Sequence, residues 1–315
     1  MTNQILVVGS VAFDSITTPF GKVDKSLGGS ATYFSLASSL FAPTSIVGVV
    51  GSDFKDFDVY KKHGIDISGM EKQKGETFYW AGKYHYDLNI RDTLKLKLGV
   101  FENFQPKLSE RHKQAEMVFL ANIQPHLQLQ VLKQIKRPKL VGLDTATEWI
   151  NRSKPALLRV LKLVDIFVIN DSEARQLSKE HNLLKAAKKI LFLMNQPDTF
   201  TRPRKSVRNK HQIVIIKQGE HGLLLFHQSS IFNLPGYPLE DVIDPTGAGD
   251  SFAGALMGYL AKTGDLSPAN LKKACAVAST VASFCVENFG TKRLQSIRLS
   301  DVNQRLAEYK KLINF

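Results

Sequence analysis

The sequence predicts an α/β fold, a doubly wound, mostly parallel sheet flanked by helices, and three observations carry that expectation. Short apolar runs recur along the 315 residues, as in SIVGVVG, MVFLANI, KLVGLDT, VDIFVIN and QIVIIKQG. Strands read this way when helices cover both faces of their sheet. Between them lie stretches with apolar residues at helical spacing, which supply the crossovers that parallel strands need. Polar residues follow at the strand ends, namely Asp14, Asn122, Asp144, Asn170 and Gln218. Ligands of such sheets gather beyond the carboxyl ends of the strands.

In chain order, ILVVGSVAFDS (5–15) reads as one buried strand that breaks at Gly9 and ends near Asp14. In LGGSATYFSLASSLF, Gly28 and Gly29 open a helix on which Tyr33, Phe34, Leu36, Ala37, Leu40 and Phe41 recur at helical spacing. SIVGVVG follows as a second buried strand. Residues 77–100 interrupt the rhythm with an amphipathic hairpin. Phe78, Trp80, Tyr84 and Tyr86 are expected on one face of its first strand, and Leu94, Leu96, Leu98 and Val100 alternate with Lys95 and Lys97 in its second. A hairpin with one apolar face must cover a site, the domain body or its twin in a dimer. The strand–helix rhythm then resumes, and residues 247–289 hold two apolar helices separated by KTGDLSPAN. NQPDTFTRPRKSVRNKH (195–211) is a basic, proline-containing loop.

Composition bounds the rest. A chain that is 43% hydrophobic and 23% charged is a soluble globular protein with an ample core. Forty-two Lys and Arg against 29 Asp and Glu leave +13, which suits an anionic partner such as a nucleotide, a sugar phosphate or nucleic acid. The start, MTNQILVVGS, has no basic leader and no apolar run is long enough for a membrane span, so a cytoplasmic protein is expected. Cys275 and Cys285 lie in one apolar segment without CxxC spacing and are expected as packed free thiols.

The stretch DPTGAGD (244–250) carries the chemistry. Gly247 and Gly249 let successive backbone N–H groups face one point, and a helix starting near Asp250 adds its positive dipole end, so the turn can cradle an anion. Asp250 has two readings on local evidence: an N-cap, or a carboxylate that accepts a proton from an alcohol attacking phosphorus. Asn170-x-x-Glu173 is likewise a capping-box spacing at a strand-to-helix junction. There is no G-x-G-x-x-G after the first strand and no P-loop motif anywhere, so dinucleotide-dependent and P-loop chemistry find no support.

Taken together, VVGSVAFD, GGSATYFSLA, INDSE, VIIKQGEHGLLLF and D-x-T-G-A-G-D-S-F-x-G-A, in this order, resemble the ribokinase (PfkB) family of carbohydrate and nucleoside kinases. The resemblance spans most of the chain. It implies a single ribokinase-like domain over 1–315, with a lid formed by about 15–27 and 76–101. It also implies an ATP-dependent kinase that phosphorylates a hydroxyl of a sugar or sugar-like molecule, or alternatively of a nucleoside, with Mg2+ as cofactor. Asp250 would be the base, and the N–H groups of Gly247, Ala248 and Gly249 the anion hole. An aspartate at a helix N-terminus is expected to be ionised and a weak base. Asp14, Gly28, Gly29, Tyr33 and Arg91 would form the acceptor site. Asn170, Lys217, Gly219, Gly222 and Asp244 would serve the nucleotide, and Glu173 the metal. Tyr33 stands where many sugar kinases have an asparagine, which loosens any transfer of their specificity. The lid face is expected to pair two copies of the chain. A competing reading from another class, a nucleic-acid-binding or regulatory protein on a kinase-like fold, rests on Arg202, Arg204, Lys205, Arg208 and Lys210 of the basic loop.

Overall fold

The computed structural model describes residues 4–196 and 211–313. The first third forms β1 (Ile5–Val8), β2 (Ala12–Thr18), β3 (Gly21–Gly28), α1 (Ser30–Ser39), β4 (Thr44–Val50), α2 (Phe57–Lys62), β5 (Asp66–Lys72), β6 (Phe78–Tyr84) and β7 (Arg91–Lys97). The middle forms β8 (Met117–Leu120), α3 (Pro125–Gln134), β9 (Leu140–Leu143), α4 (Thr147–Arg152), α5 (Lys154–Leu161), β10 (Ile166–Asn170), α6 (Asp171–Ser178) and α7 (Leu183–Asn195). β11 (Ile213–Lys217), β12 (Leu223–His227), β13 (Ser230–Leu234), α8 (Ala248–Thr263), α9 (Pro268–Cys285) and α10 (Leu299–Ile313) complete the described chain.

The larger sheet has the order β13-β12-β11-β10-β9-β8-β1-β4-β5, parallel from β5 to β11 and antiparallel only through β12 and β13. Its central strands β1 and β8 are wholly buried because successive side chains enter two different cores. Ile5 and Val7 pack with α1, α8 and α9, while Leu6 and Val8 pack with α3, α5 and α7. α1 and α8 approach closely: a Cβ at Gly254 would stand 2.1 Å from the Phe34 carbonyl oxygen. Cys275 and Cys285 are buried free thiols in α9.

A second sheet, β3-β2-β6-β7, corrects two expectations. ILVVGSVAFDS is two strands in different sheets, β1 and β2, so Asp14 reaches the site from the small sheet rather than from the end of a core strand. The hairpin of β6 and β7 forms, but Leu94 is skipped where Ala81 pairs with Lys95 and Gly82 with Thr93. Leu94 and Leu96 remain 63% and 54% exposed, and the expected aromatic stripe is broken up. Phe78 stacks on Phe101, Tyr84 is buried, and Tyr86 lies beyond the strand and is exposed. Among the described residues no helix is long and apolar enough to cross a membrane. The basic residues Arg202 to Lys210 lie outside the described residues.

Candidate active site

The site begins with a glycine turn. Gly247 takes the left-handed conformation (φ 78°) and caps α8, so Asp250 is the third helical residue and makes no capping hydrogen bond. The N-cap reading of Asp250 is thereby corrected. Two groups hold the turn. Asp244 accepts from the Thr246 N–H at 2.9 Å through Oδ1 and from the Gly290 N–H at 2.9 Å through Oδ2. Tyr33, 1% exposed, packs its ring on Gly247, where a Cβ would stand 2.2 Å from Tyr33 Cδ1. Asp244 and Tyr33 therefore act on the turn itself, not at the open surface of a cleft. Among the described residues the Tyr33 hydroxyl has no hydrogen-bond partner. The Ala248 N–H turns back to the Pro245 carbonyl at 3.3 Å, while the first N–H groups of a helix lack intrahelical partners.

Charged side chains converge on this turn from three neighbouring strand ends. Lys217 closes β11, and its Nζ lies 2.6 Å from where a Gly249 Cβ would stand. Asp144 follows β9; its Oδ1 accepts from the Thr145 N–H at 2.8 Å, and burial raises its pKa against the pull of Lys217. Glu173 belongs to the capping box of α6. Its N–H donates to Asn170 Oδ1 at 2.8 Å, and its Oε2 accepts from the Asn170 N–H at 3.3 Å. Burial, then the Asp144 charge, pushes Glu173 up to about 7, with Lys217 opposing. The same forces, burial first and Asp144 second, push Asp250 up to about 7 against Lys217 and Arg91. Asp250 is thus a stronger base than its helix position alone implies.

Opposite the cradle lies Asp14, 5% exposed and raised to about 7 by burial, with the Gly29 N–H restraining the rise. Gly28 is obligatory beside it, because a Cβ there would overlap the Asp14 carboxylate. Gly29 caps α1 with φ 91°. Arg91 opens β7. It is exposed, yet its Nη1 donates to the Tyr84 hydroxyl at 3.4 Å and its guanidinium lies 5.5 Å from the Trp80 ring. Gly219 and Gly222 shape the turn between β11 and β12; a Cβ at Gly222 would strike the Leu234 carbonyl. The structure thus gathers Asp14, Asp250, Glu173, Lys217 and Arg91 around one turn and gives Asp244 and Tyr33 supporting positions.

Three contributors lack a motif in the sequence. Asp144 is visible only as one more polar strand end. Tyr84 resembles a member of the aromatic stripe, but its hydroxyl meets Thr246 Oγ1 at 3.1 Å. Asn89, in the hairpin loop, donates to Glu220 Oε2 at 2.9 Å across the site.

A family profile described as pfkB family carbohydrate kinase matches residues 2–297. A cytidine kinase of Thermococcus kodakarensis is 27% identical over 265 residues, covering 81% of this chain and 88% of that protein. The crystal structure of a Methanocaldococcus jannaschii nucleoside kinase, of the ribokinase family, superposes with a TM-score of 0.74 at 21% identity, covering 97% of this chain and 98% of that one. An E. coli protein described as a ribokinase II, in complex with ATP and Mg2+, superposes with a TM-score of 0.73 at 20% identity, covering 97% and 99%.

Proposed function

The chain belongs to the pfkB family of carbohydrate kinases, phosphotransferases with a hydroxyl acceptor, and from that premise we propose that it transfers the γ-phosphoryl group of ATP to the hydroxymethyl group of a nucleoside. The observation that carries the chemistry is Asp250, a carboxyl raised to about 7 at the rim of a glycine turn that opens a sixteen-residue helix. The nucleoside class is supported by the named relatives. A sugar acceptor is the second reading, favoured by the family's description.

In this reading Asp14 holds the acceptor's sugar hydroxyls, a task suited to a carboxylate, and Gly28 and Gly29 keep the adjoining backbone approachable. Tyr33 contributes through the turn it supports, and Arg91 lies within reach of the acceptor or the phosphoryl group. The acceptor oxygen bonds to the γ-phosphorus as the bond from phosphorus to ADP breaks. Its proton passes to the Asp250 carboxylate, and ADP leaves. The N–H groups at Gly247 and Gly249 and the α8 dipole oppose the charge on the transferring group, while the Ala248 N–H is engaged by the Pro245 carbonyl. Lys217 faces the phosphates beside Gly249. The Gly219–Gly222 turn and Asn170 border the nucleotide, and Asp244 holds the turn against which it rests.

Among the described residues no group of three or more His, Cys, Asp or Glu can hold a metal alone. Glu173, a buried carboxyl beside Asp144, nevertheless suits Mg2+, which takes few carboxylates and keeps water and phosphate as its other ligands. When bound, Mg2+ would neutralise charge on the nucleotide phosphates. Asp250→Ala is expected to lower kcat by ~10³-fold while the affinity for ADP stays within about threefold. Near-normal turnover in that variant would remove Asp250 from the base role.

The exposed Leu94 and Leu96 of β7 are covered, in this reading, by a second copy of the chain. Sedimentation should show a dimer at micromolar concentration that Leu94→Lys with Leu96→Lys converts to a monomer. A monomeric parent protein would contradict the pairing.

A further inference from the structure

A cavity lies at the end of the large sheet opposite the catalytic turn. β11 runs from Ile213 to Lys217, which sits beside Gly249, and β12 returns antiparallel so that His227 pairs with Ile213. Beside that pair a cavity of about 270 Å³ is lined by Leu191, Asn195, His211, Gln212, His227 and Gln228. Three elements meet there. Asn195 closes α7, His211 and Gln212 precede β11, and His227 ends β12 before a two-residue turn to Ser230. The side-chain amides of Asn195 and Gln212 are hydrogen-bonded, and Gln228 holds φ 55°, a conformation that residues other than Gly, Asn and Asp rarely take.

His227 is unusual in this lining. It is 5% exposed, and neither of its ring nitrogens has a hydrogen-bond partner among the described residues. Buried polar groups are ordinarily paired, so a free imidazole in a cavity wall points to a ligand that the protein itself does not supply. The His211 ring, half-buried, has its centroid 6.4 Å from that of His227. One ion held about 2 Å from a nitrogen of each ring spans that separation. Burial, and then the His211 charge, lower the His227 pKa, so the ring stays neutral at pH 7, the form in which imidazole binds a metal.

The residue types decide which ion. Two imidazoles and three side-chain amides line the cavity, with no carboxylate among them. Mg2+ and Ca2+ favour carboxylate and other oxygen ligands, whereas Zn2+, Cu2+ and Ni2+ suit imidazole nitrogen. The cavity has room for water, which with the amide oxygens can fill the remaining coordination positions.

We propose that His211 and His227 bind one transition-metal ion of the Zn2+ type, which ties the start of β11 to the end of β12 at the foot of α7. No residue of the catalytic turn takes part, so the assignment stands apart from the kinase reading.

The test titrates the untagged full chain with Zn2+, in excess Mg2+ to occupy sites built on carboxylates, and follows binding by calorimetry and by thermal unfolding. One Zn2+ per chain should bind and raise the unfolding midpoint. His211→Ala should weaken binding by at least ~10-fold and abolish the rise. His227→Gln, which fills much of the same space without an imidazole, should do the same. Cu2+ used as a paramagnetic probe should show coupling to two imidazole nitrogens in the parent protein and to one in His211→Ala, a signature that a merely structural histidine does not give. Zn2+ binding of equal strength in the parent and in both variants would overturn the proposal. So would copper coupled to fewer than two imidazoles in the parent, or a parent protein that binds no Zn2+.

Discussion

Asp250 owes its basicity to neighbours that are remote in sequence. Burial and the charge of Asp144 raise its carboxyl to about 7, and Lys217 and Arg91 limit the rise. The base role proposed for Asp250 requires its ionised form, so kcat/KM should climb with pH through about 7 and level off above it. Asp144→Asn removes a like charge and should move that limb to lower pH; an unmoved limb would exclude Asp144 as the cause. Asp14 gives a stability prediction. Between its ordinary value of 3.8 and about 7 the folded chain keeps this proton while the unfolded chain has lost it, so its contribution to stability falls as pH rises through that window. Asp14→Asn should therefore stabilise the protein more at pH 7.5 than at pH 5, as read by chemical unfolding at the two values. The orphaned hydroxyl of Tyr33 makes a further case. Removing a buried, unpartnered polar group gains rather than costs stability, so Tyr33→Phe should raise it by about 1 kcal/mol. A loss of that size would mean that the hydroxyl has a partner.

Among the elements, the turn into α8 is the most constrained. Gly247 combines φ 78° with the Tyr33 ring against its Cα, so Gly247→Ala meets both strain and overlap and should cost about 2 kcal/mol or more. Guanidinium unfolding of that variant measures it. Much of the architecture is legible in the chain because buried parallel strands are short apolar runs, and β4, β8, β9, β10 and β11 all have that form. Asn170-x-x-Glu173 is legible for the same local reason: a capping box is defined by spacing, and both of its hydrogen bonds form. The split of ILVVGSVAFDS is not legible, since β1 and β2 are equally apolar and only the partner strands separate them. Nor is β5, an edge strand of mixed burial, DISGMEK, without a clear period. The skipped Leu94 follows from pairing with β6 and leaves alternation in the sequence intact. At the site, glycine motifs mark where the backbone must bend, whereas Tyr84 and Asn89 act through contacts 162 and 131 residues away and Asp144 through a charge field that no spacing encodes.

At the scale of the whole molecule, the two sheets divide the work. The large sheet delivers Asp144, Asn170, Glu173 and Lys217 along one edge, and α8 begins above them. The small sheet brings Asp14 and Arg91 from the other side. The net charge of +13 favours association with an anionic nucleotide, and nucleotide affinity should weaken as salt is raised. The central claim is phosphoryl transfer to a nucleoside hydroxyl, and the most direct measurement is ADP release from ATP and Mg2+ with single nucleosides and single sugars offered as acceptors. At least one nucleoside should stimulate ADP formation and yield a phosphorylated nucleoside by mass spectrometry, with Asp250→Ala silent in the same assay. Stimulation by sugars alone, or by no acceptor in either class, would contradict it.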